Sequence, residues 1–114
     1  DACEKQGVNY WKGISASIGS FYAGQGRPAV NKSFDKDSLI EKYKDLNIIN
    51  MEMESETILT LSSIFNVLSG SICAVHANRA TDEWLYDFMP AQKQMCKIAL
   101  EAVVLLYQRY LNKE

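Results

Sequence analysis

Asn47-Ile48-Ile49-Asn50-Met51-Glu52-Met53 is followed by Glu54-Ser55 and then by Ile58, Leu59, Leu61, Ile64, Phe65 and Leu68. The first seven residues are β-branched and apolar enough for a strand. The apolar positions after them recur at helical spacing, which predicts a helix up to Gly70, a natural residue just past a helix end. Beyond it, Ser71 to Ala77 (SICAVHA) is a near-continuous small or apolar run, as in a strand buried on both faces. Strand, helix, strand is therefore the unit from which the chain is built.

Working outward, Asn9 to Ser17 (NYWKGISAS) alternates loosely and reads as a strand. Gly19 to Pro28 is a glycine-rich loop. Ser38-Leu39-Ile40-Glu41 matches a capping box, with Ser38 at the cap, and Leu39, Ile40, Tyr43 and Leu46 continue as an amphipathic helix. Arg79 to Asp87 is a polar loop. From Pro90 to Leu111 only Gln94, Lys97, Glu101 and Gln108 form a polar stripe, so a long, mostly buried helix is expected. The pattern predicts an α/β fold, a three-layer αβα arrangement with a central, largely parallel or mixed sheet.

With 114 residues, the chain is long enough for one domain, residues 1–114, with a core of its own. A net charge of −2 leaves no basic field, so no nucleic acid is expected as partner. No apolar run approaches membrane-spanning length, so no membrane is expected either. Cys3, Cys73 and Cys96 are odd in number and fit no disulfide framework, which points to a reduced, cytoplasmic compartment. Asp1-Ala2-Cys3-Glu4-Lys5 has no signal-peptide character and reads as the end of a helix, so the chain is expected to be the downstream part of something longer.

In open α/β sheets, ligands sit beyond the carboxyl ends of strands. Three loops leave such ends: 18–28, 52–55 and 77–84. Phe21-Tyr22-Ala23-Gly24-Gln25-Gly26-Arg27 offers an aromatic ring, an amide and a guanidinium. Glutamine supplies a donor and an acceptor, as the edge of a pyrimidine requires, and arginine a fixed positive fork. An ordinary turn with a solvated arginine is the plainer reading. Glu52 and Glu54, at i and i+2, project to one side of an extended backbone and suit a vicinal diol, with Met53 against the sugar. The two carboxylates could instead serve as an acid/base pair, or the segment could cap the following helix with Glu54 and Ser55. A metal is not expected, because no His or Cys lies nearby. His76, the only histidine, is more simply a half-buried strand residue than a catalyst, and no Ser/His/Asp or Cys/His arrangement is present. Thr81-Asp82-Glu83-Trp84 is a solvated loop or a flap. A heterocycle joined to a diol is a nucleoside.

These segments resemble the uridine phosphorylases of the nucleoside phosphorylase superfamily, along nearly the whole chain. Phe21–Arg27 is similar to that family's FYPGQxR loop, Glu52-Met53-Glu54-Ser55 to its EMES motif, and Asn78-Arg79 to the pair that follows its buried strand. Purine phosphorylases and methylthioadenosine-type nucleosidases carry Ser-Asp at that last place. The resemblance implies a nucleoside phosphorylase-like fold, incomplete here, with the chain as its carboxyl-terminal half.

It also implies reversible phosphorolysis of uridine to uracil and ribose 1-phosphate, with inorganic phosphate as co-substrate and no cofactor. Phe21 would lie against the base, Gln25 and Arg27 would bind uracil and stabilise it as it leaves, and Arg79 would support them. Glu52, Met53 and Glu54 would hold the ribose. Gln25, Arg27 and Glu54 are the expected catalytic residues, and His76 and Ala77 stand at the family's flap positions. The family's phosphate-binding glycine loop and arginines have no counterpart here, where Arg27, Arg79 and Arg109 are the only arginines. The resemblance implies a homo-oligomer, a dimer or larger, up to a hexamer. A catalytically incomplete nucleoside-binding or structural remnant is the alternative, and a nucleosidase using water is a weaker third.

Overall fold

The structure, a computed structural model, describes residues 1–27 and 36–112. Pro28, the expected end of the glycine-rich loop, lies outside the described residues. The architecture is mixed α/β, with the chain folded as two compact units.

One unit comprises Lys12–Ser71 with Arg79–Asp82. Strands β1 (Ile14–Ser17) and β2 (Ile48–Glu52) pair in parallel, Ser15 opposite Asn50, Ala16 opposite Met51 and Ser17 opposite Glu52. The chain passes between them through helix α1 (Lys36–Asp45), which lies against β2. A parallel pair needs such a crossover, because a tight turn can only reverse the chain. The register slips between Ile14 and Ser15, so that Ile49 is passed over. Its side chain lies over Gly13, where a Cβ would stand 2.6 Å from the Ile49 Cδ1.

Helix α1 begins ahead of Ser38, so the Ser38–Glu41 pattern lies inside the helix and is not its cap. Helix α2 (Ser55–Ile64) stops well short of Gly70. The residue that ends it is Asn66, left-handed at φ 53. Its N–H donates to the Ser63 carbonyl and that of Val67 to the Ser62 carbonyl, the paired bonds of a Schellman motif. Asn47 (φ 54) closes α1 in the same left-handed conformation, its N–H donating to the Lys44 carbonyl. Asparagine tolerates this region better than most side chains, so both helix ends are encoded locally.

The other unit comprises Asp1–Trp11, Ile72–Asn78 and the chain from Glu83 onward. It contains a short amino-terminal helix (Ala2–Lys5), an antiparallel ribbon of β3 (Ala77–Asn78) and β4 (Glu83–Trp84), and helix α3 (Met89–Leu111). Pro90 sits in the first turn of α3, where its missing N–H removes no helical bond. Lys5 Nζ lies 2.7 Å from Glu101 Oε1, Arg109 pairs with Asp1, and Ala2 and Ile98 are buried.

Two expectations are met only in part. The Ser71–Ala77 run forms strand only at its end, and Ile72 and Val75 are exposed. The long helix forms as expected, but Ile98 is its only buried residue, while Leu100 and Val103 are 68% and 63% exposed. Periodicity correctly reports which residues would prefer burial, and it does not report whether a neighbour covers them.

Candidate active site

Two groups of side chains leave the same end of the parallel pair, since β1 and β2 finish side by side at Ser17 and Glu52. The Ile18 N–H donates to the Glu52 carbonyl (2.9 Å), carrying the ladder one step into the first loop.

The first group is built on a 3₁₀ turn, Ala23–Gln25, whose start is fixed by the Ala23 N–H donating to Ser20 Oγ (3.1 Å). Gly26, left-handed at φ 62, reverses the chain behind it. The Arg27 N–H then donates to the Tyr22 carbonyl (2.8 Å), which returns Arg27 over its own loop. Arg27 Nε and Nη2 both donate to Gln25 Oε1, at 3.1 and 3.0 Å. The same guanidinium lies 4.2 Å from the centre of the Phe21 ring, a cation–π distance. Phe21 is braced edge-on by Tyr22, with ring centroids 5.4 Å apart.

Arg79 joins this group. Its Nε donates to the Gln25 carbonyl over a long 3.4 Å, and its Nη1 lies 2.9 Å from Asp82 Oδ1. Burial and then the like charge of Arg79 lower the pKa of Arg27. One face of Phe21 and the side-chain oxygen of Gln25 are thus both taken by Arg27, and any group that is to use them must displace the guanidinium.

The second group forms the junction of β2 and α2. Glu52 Oε2 accepts the N–H groups of Glu54 (2.8 Å) and Ser55 (2.5 Å), its Oε1 accepts from the Ser17 hydroxyl, and Ser15 Oγ stands 3.4 Å away. Partial burial pushes the Glu52 carboxyl up, but the Ser17 hydroxyl and the two N–H groups outweigh it and hold the pKa at about 2. The Glu56 N–H donates to Ser17 Oγ (2.9 Å), so Glu52 and Ser17 together cap α2. Ser55 is buried and shares a hydrogen bond with Ser71 (2.7 Å).

Glu54 is the residue that carries a carboxylate outward from this turn. One of its oxygens accepts the Met53 N–H (2.9 Å), and Met53 is 42% exposed. Glu52 and Glu54 do not share one extended strand as expected, because β2 ends at Glu52 and Glu54 is already at the start of α2. Strand alternation does not extend through a helix cap.

The structure thus brings Phe21, Gln25, Arg27 and Arg79 together, and sets Glu52, Met53 and Glu54 at the neighbouring strand end. His76 and Ala77 belong to the other unit. There the His76 ring lies 5.0 Å from Phe88, its carbonyl accepts the Leu85 N–H (2.8 Å), and its Nε2 is buried without a partner. Among the described residues no group of three or more His, Cys, Asp or Glu is placed to hold a metal ion.

Sequence reasoning did not single out Ser15, Ser17, Lys36 or Asp82 as site residues. Serines at i and i+2 on a strand that ends beside an acidic turn were the available signal for the first two.

The family described as "Phosphorylase superfamily" matches residues 1–107. A uridine phosphorylase of Thermococcus kodakarensis is 39% identical over 116 aligned positions, which cover all of this chain and 41% of that protein. The uridine phosphorylases of Haemophilus influenzae and Escherichia coli are 31% and 32% identical over 88 positions, each covering 73% of this chain and 34% of the relative. The chain therefore spans less than half the length of these relatives. No solved structure matches it at the same stringency. The extent of the family match shows that the chain belongs to the phosphorylase superfamily.

Proposed function

We propose that this chain carries the base and ribose sites of a uridine phosphorylase, in which phosphate and uridine give ribose 1-phosphate and uracil. The observation that carries this reading is the linked set Phe21–Arg27–Gln25–Arg79 beside the Glu52–Glu54 turn, at the carboxyl ends of two parallel strands. The similarity to uridine phosphorylases supports it.

In the proposed reaction the bond from the sugar's anomeric carbon to N1 of uracil breaks, its electron pair stays with the base, and a phosphate oxygen bonds to the carbon. Gln25 and Arg27 hold the polar edge of the base and stabilise the charge it gains on leaving. Phe21 lies against the ring. Glu54 accepts the two ribose hydroxyls and Met53 contacts the sugar, while Glu52 fixes the turn that presents them. Inorganic phosphate is the co-substrate and no cofactor takes part. The whole protein acts as a cytoplasmic homo-oligomer, and among the described residues no helix is long and apolar enough to cross a membrane.

Phosphate-dependent release of uracil from uridine tests the activity, and calorimetric titration of this chain with uridine and uracil tests the site. Binding with Arg27→Ala weakened at least tenfold supports the assignment. No measurable affinity for either ligand would favour the rival reading, a structural remnant of the fold, to which the sparse burial of apolar side chains lends support.

A further inference from the structure

Asp82 lies in the 77–84 loop, three residues past Arg79, and each of its carboxylate oxygens meets a different cation. Oδ1 stands 2.9 Å from Arg79 Nη1, and Oδ2 stands 2.5 Å from Lys36 Nζ in α1. The Asp82 backbone is left-handed, φ 56, a conformation that short Asp and Asn side chains accept more readily than most. That turn brings the carboxylate back onto Arg79.

Arg79 has only a tenth of its side chain exposed and sits close enough to Arg27 for the two positive charges to oppose each other. Two neighbouring guanidiniums, here from different loops, repel unless an anion holds them, and the fork shape of arginine makes its placement directional. Lys36 occupies the second oxygen and so fixes the orientation of the carboxylate.

We propose that Asp82 is a positioning residue for base recognition: it pins Arg79 against the Gln25 carbonyl, and so keeps the second guanidinium beside the Gln25–Arg27 pair. This rests on the assignment of that pair to the pyrimidine ring. Its consequence has a sign that separates positioning from simple charge. Three cations and one anion meet here, so Asp82→Asn raises the local positive charge. If the field alone mattered, the variant would bind an electron-rich base more tightly. If Asp82 works through Arg79, binding weakens.

The test is calorimetric titration of the full chain and of Asp82→Asn with uracil and, separately, with ribose 1-phosphate. Asparagine keeps both the size and the left-handed tolerance. The expected result is about tenfold weaker uracil binding, from the loss of a charge-assisted hydrogen bond, with ribose 1-phosphate affinity unchanged. Lys36→Met is expected to give a smaller loss of the same kind. Uracil binding by Asp82→Asn that equals or exceeds that of the unaltered chain would overturn the proposal, as would equal loss of both ligands. The ¹⁵N resonance of the Arg79 Nε–H provides a readout independent of ligand. It is expected to shift and to exchange faster with water in Asp82→Asn, and an unchanged signal overturns the proposal even if the base site lies elsewhere. If the unaltered chain binds no uracil while the resonance responds as expected, the base assignment fails and the pinning of Arg79 by Asp82 stands.

Discussion

Glu52 shows how a single carboxylate can carry a structural role inside a motif proposed to bind a ligand. It accepts two backbone N–H groups and a serine hydroxyl, which keeps it ionised far below the usual carboxylate range. Its ordinary value is 4.5 and its folded value about 2. A carboxyl with a lowered folded pKa adds stability above its unfolded pKa and loses it as pH falls through the folded one. Stability is therefore expected to decline between about pH 4.5 and pH 2. Glu52→Gln should flatten that decline in urea melts recorded across the range. At neutral pH, Glu52→Ala removes the cap and should cost about 1–2 kcal/mol. Decline of equal steepness in the Glu52→Gln variant would place the titrating group elsewhere.

Between the strands and helices, the Phe21–Arg27 loop depends on Gly26. Its φ of 62 lies in the left-handed region, and a Cβ there would stand 3.2 Å from the Lys36 Cα, a backbone atom with little room to move. Strain and crowding therefore act together at one position. Gly26→Ala is expected to destabilise the chain by about 1–2 kcal/mol. It should also separate Arg27 from Gln25 and so weaken uracil binding more than ribose 1-phosphate binding. By contrast Gly19, where an added Cβ meets nothing, should accept alanine with little change in either affinity. The α2 cap makes a complementary point about chemistry. With the Glu54, Ser55 and Glu56 N–H groups already donating to Glu52 and Ser17, this helix start offers a phosphate few free donors.

For the chain as a whole, the dominant fact is exposure. Ala2 and Ile98 are the only buried apolar residues among those described, while Ile64, Leu68, Leu100 and Val103 are each at least 63% exposed. Exposure of so many large apolar side chains is uncommon on soluble monomers and favours association or a covering partner. The isolated chain is expected to bind a hydrophobic dye and to self-associate in sedimentation at micromolar concentration. A monomeric chain with a cooperative melt and no dye binding would show instead that it covers these faces by itself.

The amino-acid sequence was enough to set the order of the main helices, the parallel pairing of β1 and β2 through a helix, and the two loops that carry the candidate site. These follow from periodicity, turn chemistry and motif spacing, all of which act over a few residues. It also named Phe21, Gln25, Arg27 and Arg79 without showing that Arg27 pairs with Gln25 and lies over Phe21. Strand β4, by contrast, forms inside the expected polar loop and pairs antiparallel with β3. The tertiary structure alone joined Glu52 to Ser17 as the cap of α2 and set Asp82 between Arg79 and Lys36. Each of those depends on residues far apart in sequence, or on where a strand stops, and hydrogen-bond partners are chosen by that geometry. Local pattern records what each residue can do, and only the fold selects which of those possibilities is used.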